Sequence, residues 1–119
     1  MRAVLSVSGF YHIDRVAPDR PKSVGGDDAE IGLEASPSRY VRNSLAPMLL
    51  VYAGGDEPWR RQEHADYARE LRAAGQTRVE IKEIRNRDHM GILYRMPDES
   101  DETTLLLQDF MKRILEGRF

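Results

Sequence analysis

The stretch Ala53-Gly54-Gly55-Asp56-Glu57-Pro58-Trp59 follows the most apolar run of the chain, Met48-Leu49-Leu50-Val51-Tyr52. It leaves a carboxylate, Asp56, just past a buried-type strand, after two glycines and ahead of Glu57 and Pro58. Further along, a polar turn, Arg85-Asn86-Arg87-Asp88, leads out of another β-type run into His89. Two readings of Asp56 are open. Ahead of Pro58 it suits a helix start, because an Asp side chain accepts from the free N–H groups of a first turn. As an acid in a chain that also offers a histidine, it suits acyl-transfer chemistry. A serine hydroxyl becomes a good nucleophile when an imidazole takes its proton, and a carboxylate on the other ring nitrogen fixes the tautomer and stabilises the imidazolium. His89 read alone is no more than a loop histidine.

The remaining candidates are weaker. His64 falls mid-helix, at an expected surface or boundary position, Asp88 is expected to be solvated, and nothing specific supports a role for His12 beside a cleft. His12, His64 and His89 show neither His-x-His nor His-Glu-x-x-His spacing, and Glu63-His64 lacks the second histidine, so no metal site is expected. Gly25-Gly26 and Gly54-Gly55 lack the context of a phosphate loop. Trp59, Phe110 and the helically spaced leucines read as core, so no cofactor is expected.

The elements that must position Asp56 and His89 follow from periodicity and punctuation. Residues 3–8 form a short β-type run closed by Gly9. Residues 10–46 are an irregular excursion punctuated by Pro18, Pro21, Gly25, Gly26 and Pro37, with a turn of helix from Asp28 to Leu33. Residues 47–53 are continuously apolar, as in a strand of a parallel sheet covered on both faces. A helix is expected over 58–74, with Pro58 in its first turn, Gly75 as its stop, and a weak stripe of Trp59, Ala65, Ala68 and Leu71. A third strand spans 78–84, where Val79 and Ile81 alternate. A short helix runs from His89 to Met96, and an amphipathic closing helix covers 103–116, with Leu106, Leu107, Phe110, Met111, Ile114 and Leu115 inward and Gly117 after it.

Strand, excursion, strand, helix, strand, helix is an α/β order, which implies parallel strands. Ligands of such sheets lie beyond the carboxyl ends of the strands, the rim on which Asp56 and His89 both fall. The 119 residues make one domain, with 40% hydrophobic and 32% charged residues. The net charge of -2, with both signs interspersed, offers no footprint for nucleic acid or an anionic membrane. No apolar run is long enough to span a bilayer. The first residues do not make a signal peptide, and without cysteine there is no disulfide, thiolate or Cys-based metal chemistry, so a cytoplasmic location is expected.

The ordered set Ser36-Pro37, Gly54 or Gly55 with Asp56, Gln62, Ala73-Ala74-Gly75 and His89 resembles the C-terminal half of α/β-hydrolase serine esterases, and most of all the carboxylesterase and kynurenine-formamidase-like (arylformamidase) branch. The segment Ser6-Val7-Ser8-Gly9-Phe10-Tyr11-His12-Ile13-Asp14 extends the likeness, with His12 where that family often has Asp. The resemblance implies a partial α/β-hydrolase fold of about three parallel strands, lacking the N-terminal half of the sheet. It also implies Asp56 as the orienting acid and His89 as the general base, in the family's order of nucleophile, acid, histidine.

The nucleophile is missing. No serine sits in a Gly-x-Ser-x-Gly elbow: Ser8 precedes Gly9, but Ser6 stands in place of the first glycine and no helix pattern follows. Ser36, Ser38 and Ser44 lie in the excursion, and no oxyanion loop is evident. One reading is the C-terminal portion of a serine hydrolase for small esters or aryl formamides, inactive alone and completed by an N-terminal half. The other is a non-catalytic α/β interaction module. Strand 3–8 carries no charge, proline or bulge to blunt its edge, so a homodimer through it is expected.

Overall fold

The computed structural model describes residues 2–15, 28–43 and 46–118. Three strands, β1 (Val4–Val7), β2 (Met48–Ala53) and β3 (Val79–Ile84), form one parallel sheet in the order β1-β2-β3. In register, Val4 faces Met48, Val7 faces Val51, Met48 faces Val79 and Ala53 faces Ile84. Because side chains alternate across a strand, the continuous apolar run of β2 fills both faces. Met48 and Leu50 pack with Tyr67, Ala68 and Leu71 of helix α2 (Pro58–Ala73), whereas Leu49, Val51 and Ala53 pack with Ile84, Ile92 and Phe110. Ile92 belongs to α3 (His89–Arg95) and Phe110 to α4 (Glu102–Leu115). The result is helix, sheet, helix, with β2 at the centre.

Helix ends follow local chemistry. Pro58 opens α2, and Gly75 closes it at φ 95°, with Gln76 N–H donating to Leu71 O and Gly75 N–H to Arg72 O, the paired bonds of a Schellman stop. Asp88 accepts from Gly91 N–H at 2.6 Å and so caps α3, while remaining exposed as its solvated reading required. Asp101 caps α4 through Thr103 N–H at 3.0 Å.

Three sequence expectations need correction. The excursion over 10–46 is more ordered than punctuation suggests. It holds a seven-residue helix, Ala29–Ala35, capped by Asp28, and a 3-10 turn at Pro37–Tyr40, while its residues 16–27 and 44–45 lie outside the described ones. Buried Ser36 organises this region, donating to Gly32 O at 2.7 Å and accepting from Ile13 N–H at 2.7 Å. In α4, Leu106, Leu107, Phe110 and Ile114 face inward, but Met111 and Leu115 are exposed, Leu115 by 73%. They sit about 100° round from the stripe of Phe110 and Ile114, farther than so small a sheet can cover. In α2, Ala65 is exposed, and the inner face is Arg60, Glu63, His64, Tyr67, Ala68 and Leu71, a helical spacing whose first half is polar. No helix among the described residues is long and apolar enough to cross a membrane.

Candidate active site

Asp56 lies in the turn leaving β2, and His89 opens α3 after the turn leaving β3, so parallel pairing brings both to one rim. Two backbone bonds lock the turns together: Gly54 N–H donates to Ile84 O at 2.8 Å and Gly55 N–H to Arg87 O at 2.9 Å. A Cβ on Gly55 would stand 2.8 Å from Arg87 O, so glycine is what allows this approach. Asn86, at φ 59°, supplies the left-handed residue of the second turn, a conformation Asn tolerates.

The side chains then meet. His89 Nδ1 is 3.1 Å from Asp56 Oδ2. An ionised carboxylate only accepts, so the neutral imidazole carries its proton on Nδ1 and leaves Nε2 as a bare acceptor. The Asp56 side chain is 1% exposed and that of His89 35%, so the carboxylate is sealed and the imidazole is partly open to solvent. Among the described residues Nε2 has no hydrogen-bond partner. Asp56 is not the helix cap: that position belongs to Glu57, whose side chain makes no capping bond, and among the described residues Asp56 Oδ1 accepts only the adjacent Glu57 N–H, at 3.1 Å. Asp56 Oδ1 also lies 3.4 Å from Arg60 Nε.

The other two histidines have separate environments. His12 is buried, and its Nε2 donates to Glu70 at 2.9 Å, while its backbone N–H and that of Tyr11 donate to the buried Glu63 carboxylate. Burial lowers the His12 pKa, but the bonds to Glu63 and Glu70 outweigh it, and the net shift is upward. His64, expected at the surface or boundary, is fully buried. Its Nδ1 donates to Arg60 O at 2.7 Å, its ring meets Tyr11 edge-on, and burial holds its pKa below the ordinary value. Neither ring is bonded to Asp56 or His89. Among the described residues, no group of three or more His, Asp or Glu side chains converges as metal ligands would.

Ser8 ends β1 on the same rim at φ 55°. Its Oγ is buried, and residues 9–15 after it form no helix, so it does not sit in a nucleophile elbow. Among the described residues the Gln62 side chain bonds only its own helix, donating to Asp66 at 2.8 Å, and Ser36 ties Ile13 to Gly32 rather than shaping the site. An open groove of about 510 Å³ is lined by the two turns, Gly54, Gly55, Glu83 and residues 85–88, and by neither Asp56 nor His89. Sequence reasoning missed the buried Arg60 and Glu63; the helical spacing of residues 60, 63, 64, 67, 68 and 71 was the signal that could have found them.

No protein-family model and no curated protein matches the chain. Two solved structures are similar in fold, both of the thermophilic esterase Est2 from the Planctomycetes species Thermogutta terrifontis. The propionate-bound form matches with a TM-score of 0.65 at 17% identity, covering 95% of this chain and 43% of that one. The native form matches with a TM-score of 0.63 at 16% identity, covering 99% and 43%. At such identity the likeness is one of fold, and the chain spans less than half the length of the esterase it matches. The fold is thus α/β, three parallel strands with flanking helices, matching part of an α/β-hydrolase esterase.

Proposed function

We propose that this chain supplies the acid and the base of a serine hydrolase, Asp56 and His89, for a nucleophile that lies outside these 119 residues. The observation that carries the reading is the 3.1 Å contact of a sealed carboxylate with Nδ1 of a half-open imidazole. The serine Oγ attacks the carbonyl carbon of the substrate while Nε2 takes its proton. The imidazolium, stabilised by Asp56, then hands that proton to the departing alkoxide or amine, and water releases the acyl group by the same route. The substrate class is a small carboxylic ester or, as in the kynurenine-formamidase-like branch, an aryl formamide. The fold likeness to an esterase supports this class.

A second copy of this chain brings no Gly-x-Ser-x-Gly, so a homodimer through β1 covers an edge without completing the site. A complementing N-terminal half completes it. The isolated chain is therefore expected to be inert: no burst from an activated ester and no label from a serine-directed phosphonate. Stoichiometric labelling of Ser8 or any other single serine here would overturn the external nucleophile. The positive test extends expression in frame to include the DNA upstream of the Met1 codon. The extended chain is expected to carry a Gly-x-Ser-x-Gly elbow and to hydrolyse a p-nitrophenyl ester, with kcat collapsing in His89→Ala. An active chain indifferent to that substitution would support the non-catalytic reading of this segment.

A further inference from the structure

Arg60 breaks two local rules. It sits in the first turn of α2, where the helix dipole disfavours a cation, and its side chain is only 8% exposed. A buried cation needs compensation, yet Arg60 Nε and Nη1 have no hydrogen-bond partner among the described residues. What holds the guanidinium is charge and ring faces. It lies 4.7 Å from the Phe10 ring centre and 4.5 Å from that of Trp59, two rings stacked at 5.7 Å. Its Nε points between Asp56 Oδ1 at 3.4 Å and the half-exposed Glu57 carboxylate at 3.5 Å. Cation–π contact gains strength where water is excluded, so this seat fixes the cation in place.

We propose that Arg60, seated on Phe10 and Trp59, is a positioning residue that orients the Asp56 carboxylate. Held at Oδ1 by the guanidinium and by Glu57 N–H, the carboxylate is left with Oδ2 aimed at His89 Nδ1. Phe10 comes from the loop after β1, so the ends of all three strands contribute to the site: β1 through the cation's seat, β2 through the acid, β3 through the base. The costs of a first-turn, buried arginine fall where local rules are expected to yield, next to a functional group. This inference rests on the reading of Asp56 and His89 as an orienting pair.

The test is the solvent-exchange rate of the His89 Nδ1 proton by nitrogen-15 NMR of the whole chain, with urea unfolding alongside to report stability. The wild type is expected to show a protected Nδ1–H. Arg60→Met keeps the apolar stem and removes the charge, and is expected to speed exchange about tenfold or more, the scale of loosening one charged hydrogen bond. Arg60→Lys keeps the charge without the flat guanidinium, and should fall between. A merely structural arginine would lower stability and leave the Nδ1–H exchange rate unchanged in both variants, which overturns the proposal while the pair stands. No protected Nδ1–H in the wild type overturns the pair and the proposal with it. Should Arg60→Met fail to fold, an Arg60→Lys rate equal to wild type overturns the role of the ring seat.

Discussion

Gly55→Ala is expected to pull His89 away from Asp56 without touching either. Neither Gly54 nor Gly55 has a left-handed φ, so what separates them is what an added methyl would meet. At Gly55 a Cβ would lie 2.8 Å from the Arg87 carbonyl oxygen and 3.7 Å from Asp88 Cα, backbone atoms that cannot swing aside. Ordinary contact begins near 3.4 Å, so the Arg87–Asp88 turn must retreat by roughly 0.6 Å. That turn carries His89, whose Nδ1 is already 3.1 Å from Asp56, and the same retreat takes it past about 3.2 Å, where such bonds weaken. Overpacking, the lost Gly55-to-Arg87 bond and the loosened pair together destabilise the chain by about 2–3 kcal/mol. At Gly54 the atoms nearest the added methyl belong to the flexible side chain of Glu83, at 3.3 Å, so Gly54→Ala should stay within about 0.5 kcal/mol of wild type. Urea unfolding measures both, and the His89 Nδ1–H signal should weaken in Gly55→Ala alone. Equal stabilities for the two variants, or an undisturbed His89 signal in Gly55→Ala, would refute the reasoning.

Three further expectations follow from the same contacts. The His12 pKa is raised against burial by Glu63 and Glu70, with Arg15 opposing, so His12 contributes stability that is full below its unfolded value of 6.5 and lost as pH rises through the raised folded value; urea midpoints on either side of that window should differ in wild type, and an equal difference in His12→Gln would contradict this. Ser36→Ala removes the buried hydroxyl that the part-buried Ile13 N–H donates to and should cost about 1–3 kcal/mol by urea unfolding, a loss below that range counting against Ser36 as the organiser of its loop. Among the described residues β1 pairs with β2 alone, and an unblunted edge invites a second copy, so sedimentation equilibrium should give a dimer mass; a 13.6 kDa species at every concentration would refute it.

Strands and helices were legible to within about a residue because Val, Leu and Ile runs end at glycine, proline or capping Asp, signals carried by the backbone chemistry itself. Asp56 and His89 were legible as rim residues for the same reason: each follows a strand, and parallel order puts strand ends together. The inner face of α2 was not. Arg60, Glu63 and His64 read as surface in any hydropathy count, and their burial depends on the loop N–H groups of Tyr11 and His12 and the Phe10 ring, which answer them from a distant part of the chain, with Asp56 and Trp59 adding local partners to Arg60. His12 bonds Glu70, a pairing set by the fold rather than by spacing. The helix at Ala29–Ala35 was half visible, since Asp28 is an ordinary cap signal, but glycines and prolines around it masked the period.

The most direct measurement is the tautomeric state of His89, read from its ring nitrogen-15 shifts in the wild-type chain and in Asp56→Asn. Sealed against a carboxylate at 3.1 Å, the neutral ring should carry its proton on Nδ1, with Nε2 bare and ready to take a proton from a nucleophile, and Asp56→Asn should disturb that preference. A wild-type ring protonated on Nε2, or a preference for Nδ1 that survives Asp56→Asn unchanged, would contradict the account.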